Sequence, residues 1–161
     1  MLQRMDVELL ILPPVAHDLQ LPEQIPVVYA SQVLQMTVGF TKIQIYPPLF
    51  PGNSNEMSLC ILFDTENCDI LVTGDRNGFG ERSLLRHAEI PDVDVLVAGH
   101  HGSKNSTCPQ LLEAVRPELV CISAGADNPY GHPAPETLQR LQMYGCGVYR
   151  TDLQGSITIR R

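Results

Sequence analysis

Three short segments of the chain carry residue types that can activate water: Thr73-Gly74-Asp75, Gly99-His100-His101 and Gly131-His132-Pro133. A carboxylate with imidazoles is the ligand set of a zinc or manganese hydrolase, whose cation lowers the pKa of bound water until hydroxide is available near neutral pH. A glycine precedes the first potential ligand in each segment, which lets the backbone turn sharply and lets an ion come close without a Cβ in the way. Taken singly, each segment has a plain explanation. An Asp after a strand is a turn residue or helix cap, and a His before Pro is a loop residue. For an adjacent His pair on extended backbone the rings point to opposite faces, so one binds metal while the other packs or donates a hydrogen bond. Their spacing argues for a joint role. The segments follow three apolar runs, "DILV", "DVLVA" and "LVCIS"; His101 lies 26 residues after Asp75, and His132 another 31 residues on. Each interval is about one α/β unit, and in layered α/β domains the strand ends form a common rim. The spacing therefore predicts that Asp75, His101 and His132 sit side by side.

The elements that must hold them follow from the pattern. A long loop is predicted at "YPPLFPGNSNE", Tyr46 to Glu56, where prolines, Gly52 and side-chain amides cluster. Before it, strands are predicted at about Val7 to Leu12, Val33 to Val38 and Thr41 to Ile45, the last two turning at Gly39-Phe40. After it come a hairpin of Ser58 to Asp64 with Ile70 to Thr73, and a helix over Phe79 to His87. Strand Val93 to Ala98 leads into the His loop, followed by a helix over Pro109 to Val115 with Ser106 or Thr107 as the expected cap. Strand Leu119 to Ser123 and a helix from Pro135 to Tyr144, stopped by Gly145, complete the alternation. The tail, Val148 to Thr151 and Ser156 to Ile159 around Leu153-Gln154-Gly155, reads as a closing hairpin. The class is an α/β layered domain.

Other residues have structural readings. His17 stands near prolines without a partner, and the charge of His87 suits a helix end. Ser103, Lys104 and Ser106 are candidates to orient a substrate phosphate, although Ser-x-x-Ser before a helix is equally a capping pattern. Asp127, Asn128 and Tyr130 could line the rim, and Asp152 reads as a turn residue. The five cysteines are odd in number and lack Cys-x-x-Cys spacing, so they indicate neither a disulfide framework nor a zinc ribbon and read mostly as small core residues.

Bulk properties bound the rest. The chain has 161 residues, 43% of them hydrophobic, enough for one domain with a sizeable core and too few for two good ones. No apolar run approaches a membrane span, and Pro13-Pro14 interrupts the start before any signal-like region is complete. A formal charge of −7, from 11 Lys+Arg against 18 Asp+Glu, argues against nucleic-acid binding through a broad basic surface; contact with a phosphodiester through metal ions stays open.

The ordered run of Thr-Gly-Asp, His-His-Gly-Ser, Tyr-Gly-His-Pro and Tyr-Arg-Thr-Asp-x-x-Gly, within "NSNEMSLCILFDTENCDILVTGD" and "DVDVLVAGHHGSKNSTCPQLLEAVRPELVCISAGADNPYGHPAPETLQRLQMYGCGVYRTDLQGSITI", resembles the C-terminal half of the metallo-β-lactamase-like domain of the ComEC competence proteins. The resemblance runs from about Pro26 to Ile159. It implies an αββα sandwich with a dinuclear zinc or manganese site at the edge of its sheets. It also implies a domain outside the cytoplasmic membrane of a bacterium that degrades the DNA strand not taken up. Carried over, Asp75 would bridge the two ions, His101 would bind the second, with His100 the weaker candidate of the pair, and His132 would touch substrate or metal. Ser103 and Lys104, with His132, are the substrate-binding candidates.

The superfamily's main ligand signature, His-x-His-x-Asp-His, does not occur in this sequence. On that basis residues 1–161 are expected to be a single partial domain: middle strands over 1–46, a loop over 47–57 and the ligand-bearing C-terminal half over 58–161. Asp75, His100, His101 and His132 alone do not complete a two-ion site. A metal-dependent phosphodiesterase, inactive as the isolated chain, is the expected function. Its expected partners are DNA or another phosphodiester, together with the missing N-terminal half or a second copy of the chain. The alternatives are a non-catalytic remnant or binding module of the same fold, or a hydrolase of another ester or lactam.

Overall fold

The computed structural model describes residues 6–16, 19–21, 23–49 and 55–160. His17 and residues 50–54 of the proline-rich loop lie outside the described residues. The strands are β1 (Leu10–Leu12), β2 (Val27–Tyr29), β3 (Leu34–Val38), β4 (Thr41–Tyr46), β5 (Cys60–Asp64), β6 (Ile70–Val72), β7 (Val95–Val97), β8 (Leu119–Ile122) and β9 (Gly147–Arg150). The helices are α1 (Gly78–His87), α2 (Pro109–Val115), α3 (Pro135–Tyr144) and the single turn α4 (Thr151–Gln154). Strands β1 and β2 form a separate parallel pair, and the remaining seven make one sheet in chain order, β3 through β9. The pairing is antiparallel from β3 to β6 and parallel from β6 to β9. The α/β class expected from the sequence is the observed one, and the described residues build two sheets of very unequal size.

The register explains where the core lies. Leu62, Leu71, Leu96 and Val120 are successive cross-strand neighbours on β5, β6, β7 and β8, so they project from one face, and none is more than 1% exposed. They meet Leu84 of α1, Leu111, Leu112 and Val115 of α2, and Leu141 of α3 in one cluster. Each fully buried aliphatic side chain stabilises the fold by about 1.5–3 kcal/mol relative to exposure, so this face fixes the three helices to the sheet. On the opposite face Ile61, Phe63, Ile70, Val72, Val97 and Cys121 are only half-buried.

Two local expectations are corrected. Helix α2 begins after Cys108 with no side-chain cap from Ser106 or Thr107. The two N–H groups leading into it are held instead by α1: Glu81 Oε1 accepts the Thr107 N–H at 2.6 Å and Oε2 accepts the Cys108 N–H at 2.7 Å. A long-range carboxylate thus anchors the segment entering α2, where a local hydroxyl was expected. The closing hairpin is also absent among the described residues: β9 pairs in parallel with β8, and the chain then turns into α4. The Thr151 hydroxyl donates to Ala124 O and accepts from Ala124 N, and Arg150 pairs with Asp152, so these side chains hold the tail as a helical turn. Strand β2 had no expectation, since three residues after Pro26 are too short to show alternation.

Candidate functional site

Strands β6, β7 and β8 run parallel and adjacent, so their C-terminal ends share one rim, and the loops that follow carry Asp75, the His pair and His132. The first loop turns at Gly74, whose φ of +61° suits glycine and whose surroundings leave no room for a side chain: a Cβ there would fall 2.7 Å from Ser58 Cβ. The Ser58 hydroxyl accepts the Asp75 N–H at 3.1 Å, tying the loop to the entrance of β5. Below it Arg76, 1% exposed, donates to Ser58 O at 2.8 Å and Tyr46 O at 2.9 Å.

The His pair does not sit on extended backbone. His100 (φ 48°, ψ 47°) and His101 (φ 56°, ψ 25°) both adopt left-handed conformations, which non-glycine residues occupy at a cost of about 1–3 kcal/mol each when the surroundings hold them there. The expectation that the rings point to opposite faces therefore fails, because it assumed a strand geometry. The ring centroids lie 6.3 Å apart, and the His100 ring stands 5.5 Å from that of His132. Gly102 brings the His loop against the third loop, since a Cβ there would come 2.7 Å from Pro133 Cβ.

These positions give each ring a definable role. His101 Nδ1 lies 2.7 Å from Ser123 O, a bond it makes by donating its N–H. That bond puts the lone pair of the neutral ring on Nε2, which lies 3.8 Å from Asp75 Oδ1. His100 Nε2 is 3.4 Å from Asn55 Nδ2. His132 Nδ1 is buried without a hydrogen-bond partner among the described residues. Burial, and then the neighbouring His100 and His101, lower its pKa from the ordinary value. Asn128 shapes this loop by accepting the Tyr130 and His132 N–H groups at 3.2 and 3.0 Å, and Tyr130 stacks on His132. His101, Ser123, Gly125, Asn128, Tyr130 and His132 line an open cleft of about 360 Å³.

The structure thus brings together Asp75 and His101, and His100 and His132. Ser103 is buried in the loop, its carbonyl accepting from the Thr137 hydroxyl at 2.8 Å. Lys104 is exposed at a different cleft. His87 bonds Ser83 O within α1, and Asp152 pairs with Arg150. Sequence reasoning assigned nothing to Asn55, Ser58, Ser123 and Glu81, all of which position the loops. No local pattern marks them, because each acts across 17 or more residues of chain through one or two long-range bonds.

The donor set fits a divalent cation in kind, with a half-exposed carboxylate facing an imidazole of fixed tautomer. In number it is short: among the described residues no group of three or more His, Cys, Asp or Glu side chains is placed to hold one ion.

These elements form a mixed α/β fold built on one large sheet. The fold is shared with a solved CmlA β-hydroxylase E377D mutant, 12% identical, at TM-score 0.52 over 78% of this chain and 32% of that one. A Thermotoga maritima structure described within the metallo-β-lactamase superfamily is 8% identical, at TM-score 0.42 over 86% of this chain and 69% of its own. By sequence the chain is a relative of the ComEC-type competence proteins and corresponds to a segment of them. It is 37% identical over 110 residues to ComE operon protein 3 of Bacillus subtilis, covering 68% of this chain and 14% of that protein. It is 37% identical over 105 residues to Recombination protein 2 of Haemophilus influenzae (65% and 13%), and 40% identical over 89 residues to competence protein ComA of Neisseria gonorrhoeae (55% and 13%). The match spans about one-seventh of the length of these relatives. No family model matches the chain. Among the described residues no helix is long and apolar enough to cross a membrane.

Proposed function

We propose that this chain contributes one wall of a metal-dependent phosphodiesterase site in a DNA-uptake protein, acting on DNA or another phosphodiester outside the cytoplasmic membrane. The observation that carries the reading is the approach of Asp75 Oδ1 to His101 Nε2, 3.8 Å, with the far nitrogen of His101 held by Ser123 O. Asp75 and His101 would hold zinc or manganese, with His100 the secondary candidate. A bound cation of this kind supplies Lewis acidity and hydroxide near neutral pH. The chain's own residues do the positioning. Ser58 fixes the backbone of Asp75, Ser123 fixes the tautomer of His101, and His132, favoured in its neutral form, presents an imidazole to a substrate or leaving group in the cleft. Ser103 and Lys104, the other candidates for substrate contact, follow the His pair in the same loop, Ser103 buried and Lys104 at the neighbouring cleft.

Titration calorimetry with zinc and with manganese tests the reading. We expect weak binding by this chain, reduced at least tenfold by Asp75→Ala or His101→Ala, and low turnover of bis-p-nitrophenyl phosphate, because the described residues bring too few ligands together for a complete site. Metal affinity unchanged in both variants would overturn it. The same shortage of ligands favours a second reading, a non-catalytic binding module of the same fold, for which phosphodiesterase activity would stay absent at saturating zinc or manganese.

A further inference from the structure

A second cleft, of about 390 Å³, opens where the two loops bearing Asp75 and His101 run on into α1 and α2. Among the described residues its lining includes Arg82, Lys104 and Arg140 and no Asp or Glu, in a chain that carries only 11 basic residues and a net charge of −7. Arg140 is held in position by three backbone carbonyls: Nη1 donates to Ser106 O at 2.8 Å and Thr107 O at 3.1 Å, and Nη2 to Lys104 O at 3.1 Å. Arg82 lies over the first turn of α1, where a Cβ on Gly78 would come 3.0 Å from its Nη1. The neighbouring carboxylates are engaged elsewhere, Glu81 by the N–H groups of Thr107 and Cys108, Glu56 by the Asn77 amide. Ser106, which also lines the cleft, is fully buried, and its hydroxyl has no hydrogen-bond partner among the described residues.

We propose that this cleft is an anion subsite that seats a backbone phosphate of a phosphodiester chain running past the candidate metal centre, with Arg82 and Lys104 as its contacts and Arg140 as the fixed charge that holds the loop in place. The inference rests on the phosphodiester reading of the rim and adds to it the residues that hold the rest of the strand. The chemistry favours a phosphate: three cations without a carboxylate in a polar cleft attract an anion, and guanidinium and ammonium groups match phosphate oxygens. The placement favours a chain over a lone ion. Asn77 of the cleft is two residues beyond Asp75 and Lys104 three beyond His101, which limits the backbone separations to about 7 and 11 Å, a distance that neighbouring phosphates of one strand bridge.

The test is fluorescence anisotropy of a short labelled single-stranded oligodeoxynucleotide, with chelator present so that binding is read without turnover, across roughly 50 to 200 mM salt. Wild type is expected to bind at the low end. The pair Arg82→Gln with Lys104→Gln, both exposed and so compatible with an unchanged melting temperature, is expected to weaken binding about tenfold or more and to lower the log–log salt slope by about two units. Arg86→Gln, on α1 but outside the cleft, is expected to leave both unchanged. No binding by wild type, equal binding by the double variant, an equal loss in Arg86→Gln, or displacement by inorganic phosphate as effective as by unlabelled oligonucleotide would each overturn the proposal. Loss of binding in the double variant, in a protein whose metal affinity ignores Asp75→Ala, would uphold this subsite and remove the metal centre. An Asp75-dependent activity in a double variant that binds the oligonucleotide normally would do the reverse.

Discussion

Strands β6 to β8 and the hairpin β3–β4 belong to the same sheet and are built differently. The first group has three or four residues per strand, pairs in parallel, and is clamped by α1, α2 and α3 through Leu71, Leu96 and Val120, each fully buried. The hairpin has longer strands and better local pairing, yet Gln35, Met36, Thr37 and Val38 of β3 are exposed. Every candidate ligand leaves from the clamped group. Short strands with a buried face cannot slip in register without expelling their whole apolar set, so loops launched from them are held to a fixed rim, whereas a hairpin at the edge offers no such constraint. Positional accuracy at this site comes from burial beneath it and not from strand length.

The comparison is broken most directly by stability. Leu96→Ala should destabilise the chain by about 2–5 kcal/mol, the range for emptying a fully packed aliphatic site, while Met36→Ala on the exposed face of β3 should stay within about 0.5 kcal/mol. Urea unfolding of the two variants measures both, and similar costs would show that the hairpin is as much a part of the core as β7.

Next in size is Glu81. It is fully buried, and burial pushes its pKa up, opposed by the N–H groups of Thr107 and Cys108 and by the charge of Arg140. Glu81→Ala leaves those two N–H groups without acceptors and should cost about 1–3 kcal/mol. Amide exchange at Thr107 and Cys108 should rise with it. Unchanged exchange there would mean that the entrance to α2 is held some other way.

A smaller effect concerns pH in the chelator-treated protein. The pKa of His132 is lowered from its ordinary value of 6.5, first by burial and then by His100 and His101. Between the lowered value and 6.5 the unfolded chain binds more protons than the folded one, so stability rises with pH through that window and is lost as pH falls through it. Thermal melts across that range, with the ring resonances of His132 followed in the same titration, check the sign. His132→Asn should flatten the dependence.

Much of the rim was legible because its order is written locally: apolar run, glycine, ligand, three times over. Helices α2 and α3 carry their own boundaries in Pro109, Pro135 and Gly145, and they fall as expected. What escaped depends on distant partners. The left-handed backbone of His100 and His101 is imposed by the packing of Gly102 on Pro133 and by the Ser123 carbonyl, neither adjacent in sequence. Helix α4 occupies the expected turn, anchored by the bonds of Thr151 to Ala124, and no strand follows it at Ser156 to Ile159. The cleft of Arg82, Lys104 and Arg140 joins residues from three segments that no spacing rule connects.

The finest probe of the contrast is thiol access. Cys60, on β5 at the boundary between the two groups, is fully buried, and burial pushes its thiol up to about 12, with Glu81 adding to the shift and Arg76 opposing it. At pH 8 its thiolate fraction is on the order of one in ten thousand. Its Sγ lies 3.5 Å from the carbonyl of Thr73, at the root of the Asp75 loop. Cys68, in the β5–β6 turn, is half-buried. Iodoacetamide at pH 8 should therefore modify Cys68 well before Cys60, which should react only as fast as the protein unfolds. Mass spectrometry after timed quenching separates the two sites. If Cys60 reacts at the rate of Cys68 while the protein remains folded by circular dichroism, the strands under the rim open on their own, and the rigidity assigned to the clamped group is lost.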